Sequence, residues 1–240
     1  MPRALIEHQE QVAAEAIQTQ VEAISSGTSQ TPSTKVIVGQ DYSDILQHAI
    51  EQDADLLVLG IHRHSAVDMF KGTTVERVVR YGTVPVLVVR DAVTAPYRRV
   101  LVPVDLSSHS KAAMRLAAQL APGGEVHLVH ATHEPFKGFL GAETLRQHVR
   151  DEQAQFSKSL EGDMAALSAE FGAGAPSFQV HMRVGDVAVV IRNEVERMKP
   201  DLLALGTHGR SGLAQAILGS VAEDLLADAP VDVAAVKARA

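Results

Sequence analysis

Part of this chain occurs twice, and that repeat constrains its fold more than any other feature. Asp55-Leu-Leu-Val-Leu-Gly60 returns as Asp201-Leu-Leu-Ala-Leu-Gly206, an offset of 146 residues. The same offset carries Gly39 onto Gly185, His62 onto His208 and Ser65 onto Ser211. Beyond that point the offset is 147, placing Thr73 on Ser220, Glu76 on Glu223, Val86 on Val233 and Val89 on Val236. One residue has been lost between Ser65 and Thr73. A register held over roughly fifty residues marks a tandem duplication, so both copies must share one kind of fold.

The second copy alternates strands with helices. Arg99 to Val104 is a short apolar run rich in β-branched residues, suited to a buried parallel strand. Ser107 or Ser108 can cap a helix through Lys111 and Leu120, which stops at Pro122-Gly-Gly. Glu125 to Ala131 is the next strand. Leu145, Val149, Phe156, Leu160, Met164, Leu167 and Phe171 trace one stripe of a long helix. Ser177 to Met182, Asp201 to Leu205 and Val231 to Val236 complete five strands, with helices over Asp186 to Met198 and Ser220 to Ala227 between them. Such alternation implies right-handed crossovers and a parallel sheet covered on both faces, a doubly wound α/β fold.

The first copy is incomplete. Leu5, Ile6, Val12, Ile17, Val21 and Ile24 recur at helical spacing and match the long helix. After a polar linker, Ser26 to Ser33, the runs Val36 to Val38, Asp55 to Leu59 and Val86 to Val89 match strands three, four and five. Nothing corresponds to strand one, the first helix or strand two. The expected division is therefore a partial domain over 1–93 and a complete one over 97–240. Residues 91–96 connect them.

Composition removes several classes of function. The 240 residues hold 22 basic and 29 acidic side chains, a net charge of −7, which argues against a nucleic-acid binder driven by phosphate neutralisation. Three Tyr, six Phe and no Trp leave little for a base-stacking platform. The absence of cysteine excludes disulfides, thiolate metal sites and cysteine nucleophiles. No apolar run approaches the ~20 residues of a membrane-spanning helix, and the first residues lack the apolar stretch of a signal peptide, consistent with a cytoplasmic protein.

The chemistry-bearing motif follows strand four of the second copy. It runs Gly206, two residues, Gly209, nine residues, then Gly219-Ser220 at the opening of a helix. Glycines at the carboxyl end of a strand let backbone N–H groups approach a polyanion with no Cβ in the way. The helix amino terminus adds unpaired donors and partial positive charge, and Ser220 adds a hydroxyl. In open α/β sheets ligands bind at this edge. The bland alternative is that Gly206 ends a strand, Gly209 makes a turn and Gly219 admits tight packing. Asp105, at the end of Val102-Pro103-Val104-Asp105, lies at the same edge and can accept from a ribose hydroxyl or an exocyclic amine. It can equally form an Asx-turn or cap the next helix.

The glycine pattern, the Val-Pro-Val-Asp strand, the Val184-Gly185-Asp186 turn and the repeat together resemble the universal stress proteins, specifically the tandem-domain kind. The resemblance covers all of the second copy and what remains of the first. It implies a five-stranded sheet ordered 3-2-1-4-5 that holds ATP, with or without magnesium, or else ADP or AMP. Pro103 and Asp105 would line the adenosine pocket, and the backbone of Val129 or His130 would lie near the adenine. Gly206, Gly209, Gly219, Ser220 and Val221 would cradle the phosphates, with Arg210 as a further contact. Family dimers pack through strand five, which implies a pseudo-dimer within the chain or a homodimer. In the first copy Arg63 replaces Gly209 and Gly72 arrives one residue early, behind Lys71, so no complete site is expected there. With that strand order the first copy's strand three has lost its neighbours. The expectation is a shortened amino terminus, a re-paired strand or a second chain in the gap, with shortening favoured.

The other candidate chemistries are weaker. Eleven histidines invite a metal, but none are spaced as three or four convergent zinc ligands. His127 and His130 differ by three and so point to opposite faces of a strand. Gly209-Arg-Ser211-Gly212 misses the nucleophile elbow of a hydrolase by one residue. A dehydrogenase would carry its glycine fingerprint after strand one, where Asp105-Leu-Ser-Ser stands. No catalytic residue and no metal ligand is assigned. A nucleotide-binding stress sensor or regulator is the leading reading. A nucleotide-free interaction scaffold and a slow ATP hydrolase are the alternatives, and the inducing stress and protein partner are not encoded in recognisable residues.

Overall fold

The computed structural model describes residues 3–25, 32–39, 41–60, 73–90, 95–132, 142–208, 218–228 and 231–238. The chain divides into two compact units, Met1–His48 and Ala49–Ala240. The first holds α1 (Arg3–Ser25) and the start of α2 (Asp41–Glu51). The exposed face of α1 is laced by side-chain hydrogen bonds four residues apart, Gln11 to Glu15 and Gln18 to Glu22, each 3.0 Å. The expected strand over Val36 to Val38 does not form. Residues 32–39 carry no strand, and Ile37 and Val38 are exposed. A strand exists only as part of a hydrogen-bonded ladder, and no described residue offers this one a partner.

The second unit is built on one seven-stranded sheet. Its strands in chain order are β1 (Leu57–Gly60), β2 (Val86–Val89), β3 (Arg99–Pro103), β4 (Glu125–Thr132), β5 (Ser177–Val184), β6 (Leu202–Gly206) and β7 (Asp232–Val236). They stand in the order β1-β2-β7-β6-β3-β4-β5. Every neighbouring pair is parallel except β2 and β7, which run antiparallel with Leu87 opposite Ala234. The two copies of strand five therefore pair with each other inside one chain.

The helices are α3 (Thr74–Tyr81), α4 (Ser108–Leu120), α5 (Ala142–Phe171), α6 (Val187–Met198) and α7 (Ser220–Asp228). One apolar cluster joins Val100, Val102, Val126, Leu128, Leu202 and Ala204 of the sheet to Met114 and Ala117 of α4 and Phe156 and Leu160 of α5. The alternate set, including Leu101, Val129, Leu203 and Ala235, is buried as well, so side chains of both parities leave solvent and the sheet is covered on both faces. This is the expected doubly wound α/β class.

Caps set where the helices begin. Ser107 caps α4, its Oγ accepting the Ser110 N–H at 3.1 Å, and Asp186 caps α6, its Oδ1 accepting the Val189 N–H at 3.2 Å. The duplication is legible in the backbone too. Asp53 and Lys199, 146 residues apart, both follow their helices in the left-handed region, at φ 49° and 48°. The pairing Leu57 to Val86 and Gly60 to Val89 repeats Leu203 to Val233 and Gly206 to Val236 residue for residue.

Candidate functional site

The carboxyl ends of β3, β4 and β6 and the amino end of α7 surround a cavity of about 260 Å³. Parallel strands bring these ends to one edge although their residues lie far apart in sequence. Pro103, Asp105, Val129, Gly206, Gly219, Ser220 and Val221 line it together, as does His130. Gly209 and Arg210 lie outside the described residues, as do Arg63, Lys71 and Gly72 of the first copy.

Asp105 serves local structure and the cavity at once. Its Oδ1 accepts the N–H of Ser107 at 3.0 Å, an Asx-turn that spans Leu106. Leu106 sits at φ 66°, a left-handed conformation that an L-residue adopts at a cost of about 1–3 kcal/mol unless its surroundings hold it. Ser110 tightens the same corner, its Oγ donating to the Ser107 carbonyl at 3.0 Å while it also lines the cavity.

The two glycines at the cavity have packing reasons for being glycine. A Cβ on Gly206 would stand 2.7 Å from the carbonyl carbon of His109, because α4 crosses directly over β6 there. A Cβ on Gly219 would stand 3.2 Å from the Thr207 carbonyl oxygen, which already accepts the Gly219 N–H at 2.8 Å. The donors facing a bound anion must then come from the next residues. The Glu223 N–H, donating to the Gly219 carbonyl at 2.9 Å, closes the first turn of α7. Ser220, Val221 and Ala222 thus head the helix, where N–H groups have no intrahelical acceptor.

Among the lining residues that sequence pattern does not single out as ligands are Ser110, Val187, Thr207 and His208. Val187 opens α6 directly after the Gly185-Asp186 turn, and that turn is the available signal. His208 reads in sequence as a loop residue beside a glycine, but it borders the cavity with Nδ1 3.0 Å from Thr207 Oγ1. Its ring lies 5.0 Å from that of His109. Burial, and then the neighbouring His208, lower the His109 pKa below its ordinary value, with Asp105 opposing them.

The two histidines of β4 separate as their spacing requires. His130 Nδ1 lies 2.7 Å from the Val104 carbonyl oxygen, which can only accept, so Nδ1 carries the proton. The ring stacks on Phe156 at 3.6 Å between centroids. His127 instead approaches His181, with Nδ1 3.0 Å from its Nε2. Among the described residues no three His, Asp or Glu side chains are grouped to hold a metal ion. The arrangement brings a carboxylate residue, a helix amino terminus and a hydroxyl residue to one cavity. That suits a ligand carrying both hydroxyl or amine donors and an anionic group.

A family model described as the universal stress protein family matches residues 1–90 and then again residues 96–237. The chain belongs to the universal stress protein family. It carries two such regions in tandem. Among curated universal stress proteins, one from Coxiella burnetii is 30% identical over 142 residues, covering 58% of this chain and 96% of the relative. One from Methanocaldococcus jannaschii is 28% identical over 147 residues, covering 59% and 82%. Among solved structures, a universal stress protein from Archaeoglobus fulgidus superposes over 99% of this chain and 80% of its own, at TM-score 0.67 and 18% identity. The universal stress protein UspA from Lactobacillus plantarum covers 61% of this chain and all of its own, at TM-score 0.51 and 19% identity. At those identities the structural likeness speaks for the fold. No helix among the described residues is long and apolar enough to cross a membrane.

Proposed function

We propose that the second copy binds one adenine nucleotide, ATP with magnesium before ADP or AMP, and that its occupancy makes this cytoplasmic protein a sensor or regulator in stress physiology. In this reading residues 97–240 form the complete binding domain and residues 1–93 a partial copy without a complete site. The observation that carries it is the cavity itself, which joins Asp105 at the end of β3 to Ser220 and Val221 at the head of α7. Asp105 suits a ribose hydroxyl or an amine, and the helix terminus suits phosphate. Gly209 and Arg210 complete the phosphate end in this proposal. β7 has β6 on one side and β2 on the other, which supports an intramolecular pseudo-dimer through strand five before a homodimer in this reading.

One structural fact favours a second reading. Gly206 and Gly219 are explained by contacts with His109 and Thr207, so the glycine pattern also suits a nucleotide-free interaction scaffold.

Quantifying the adenine nucleotide released by denaturing the purified protein separates the two. About one nucleotide per chain is expected. None, with no affinity for added ATP and magnesium, overturns binding in favour of the scaffold. About two would mean that the first copy binds despite Arg63. Ser220→Asp sharpens the assignment, since a carboxylate favours a helix amino terminus and repels phosphate. It should keep the fold and weaken ATP at least about tenfold, a change worth roughly 1.4 kcal/mol. Unchanged affinity would remove α7 from the site.

A further inference from the structure

The register between β4 and β5 gathers their polar residues on one face. Glu125 stands opposite Ser177, His127 opposite Gln179, Val129 opposite His181 and Ala131 opposite Arg183, so these positions share a parity. The other parity, with Val126 and Leu128, belongs to the cluster with α4 and α5. The histidine face is the one that meets α6. Arg183 of β5 pairs there with Glu194 of α6, Nε to Oε1 at 2.6 Å.

Two imidazoles touch on this face. His127 is 7% exposed, its Nδ1 lies 3.0 Å from His181 Nε2, and the rings stack at 5.2 Å between centroids. One nitrogen must bring the hydrogen and the other a lone pair, so the contact survives only while one of the two is unprotonated. His127 Nε2 is buried, makes no hydrogen bond among the described residues and lies 3.6 Å from a Glu125 carboxylate oxygen. That carboxylate favours an N–H on Nε2. The lone pair of His127 is then on Nδ1, and the His181 Nε2–H donates to it.

The surroundings cannot absorb more positive charge. Arg99 of β3 lies 3.8 Å from the Glu125 carboxylate, Arg183 follows His181 by two residues on β5, and Arg197 of α6 joins Arg183 on Glu194. Three guanidinium groups thus face two carboxylates before either imidazole takes a proton. Burial opposes the charge on Glu194, but bonds from Arg197 and Arg183 hold its carboxyl down at about 2. It therefore stays ionised and engaged wherever histidine titrates. Burial first, then His127 and Arg183, lower the pKa of His181, with Glu194 opposing and Arg197 adding to the fall.

We infer that His127 and His181 form an acid-sensitive latch fastening α6 to β4 and β5. A first proton, on His181 Nδ1, leaves the Nε2–H donating to His127 but enlarges the surplus of cations. A second has only the engaged Nδ1 of His127 to occupy, and it breaks the contact. β4 and β5 are laddered along their whole length, so α6, which meets them through side chains, is the part that yields. Its first residue, Val187, lines the cavity, and the latch thereby governs one wall of it. A lowered pKa means that the open form takes up the proton first. The latch is closed in full above about pH 6.5 and loosens as pH falls below that value.

Amide hydrogen exchange of the full chain, read as protection factors between pH 7.5 and pH 5, tests this. Protection over Glu194 to Met198 should fall at least about fivefold while that of β3 holds within about twofold. In His181→Gln an amide donor that cannot titrate replaces the Nε2–H, and the fall should be less than about twofold. No fall in the wild-type protein overturns the latch. An equal fall in α6 and β3 would mean that acid loosens the whole fold, and an equal fall in His181→Gln that another group titrates; either overturns it. Should the variant not fold, the ring nitrogen resonances of the wild-type protein decide. The latch requires His181 to gain its proton first and His127 only as α6 loses protection. Joint titration of the two rings with α6 still protected overturns it.

Discussion

The strand pairs β1–β2 and β6–β7 carry nearly the same sequence in the same register, yet they occupy different environments. Gly60 meets nothing within 4 Å where a Cβ would be added, while Gly206 is pressed against the backbone of His109. Leu57 is half-buried and its equivalent Leu203 is fully buried. The partner on one side cannot explain the difference, because β2 serves β1 as β7 serves β6. The difference lies in β3 and α4, which cover β6 and have no counterpart among the described residues of 1–96. A repeated motif therefore fixes local conformation, while the elements packed against it decide what each residue contributes.

The contrast between the two strands should be widest at their buried leucines. Leu203→Ala removes a side chain from a closed core and should cost ~2–5 kcal/mol in urea unfolding, whereas Leu57→Ala should cost about 1 kcal/mol or less, since its methyl groups already meet water. Equal losses would mean that β1 is as well covered as β6.

The glycines should differ in sign. Gly206→Ala forces α4 away from the sheet and should destabilise by roughly 1–3 kcal/mol. Gly60→Ala has open space and should stabilise by about 0.4–1 kcal/mol, because the unfolded chain loses freedom and the fold loses nothing. A thermal melt of each variant decides it. A destabilised Gly60→Ala protein would reveal a neighbour over β1. The carboxylates give a smaller contrast. Asp201→Asn weakens two charge-assisted hydrogen bonds to Arg98 and Arg99 and should cost ~1–2 kcal/mol, while Asp55→Asn should lie within about 0.5 kcal/mol of zero in urea unfolding.

How far the sequence discloses this molecule follows from the same physics. The elements of the second copy are legible because their apolar periods are clear and because two of its helices open on recognisable caps, Ser107 and Asp186. The shared lining of Pro103, Asp105, Val129 and Ser220 is legible because parallel strands end at one edge. Val36 to Val38 reads as a strand and is not one, because strand propensity is local whereas a strand needs a partner. The need for glycine at 206 is hidden, since sequence does not disclose what an absent Cβ would strike. Asp105 shows the opposite problem. Its two readings look like rivals in sequence, but the carboxylate forms the Asx-turn with Ser107 and the residue still borders the cavity. His208 and Thr207 escape notice because their role depends on α4 delivering His109 beside them, a contact between residues about a hundred positions apart.

That contact yields the smallest predicted difference between the copies. His109 is carried on α4, which has no counterpart among the described residues of 1–96, so the pH dependence it confers is a feature of the second copy. Burial first, then His208 and Lys237, lower its pKa in the fold, and Asp105 resists the change. A lowered pKa means that the unfolded chain takes up the proton first. The fold therefore keeps its full stability above about pH 6.5, the ordinary histidine value, and loses some of it as pH falls below that value towards the lowered one. His181, lowered by burial and by His127, acts in the same direction and sets the background. Urea midpoints between pH 7.5 and 5 should fall for the wild-type protein and fall less for His109→Gln. Parallel curves would show that the imidazole of His109 titrates alike in folded and unfolded chains, and that the approach of α4 to His208 does not hold it neutral.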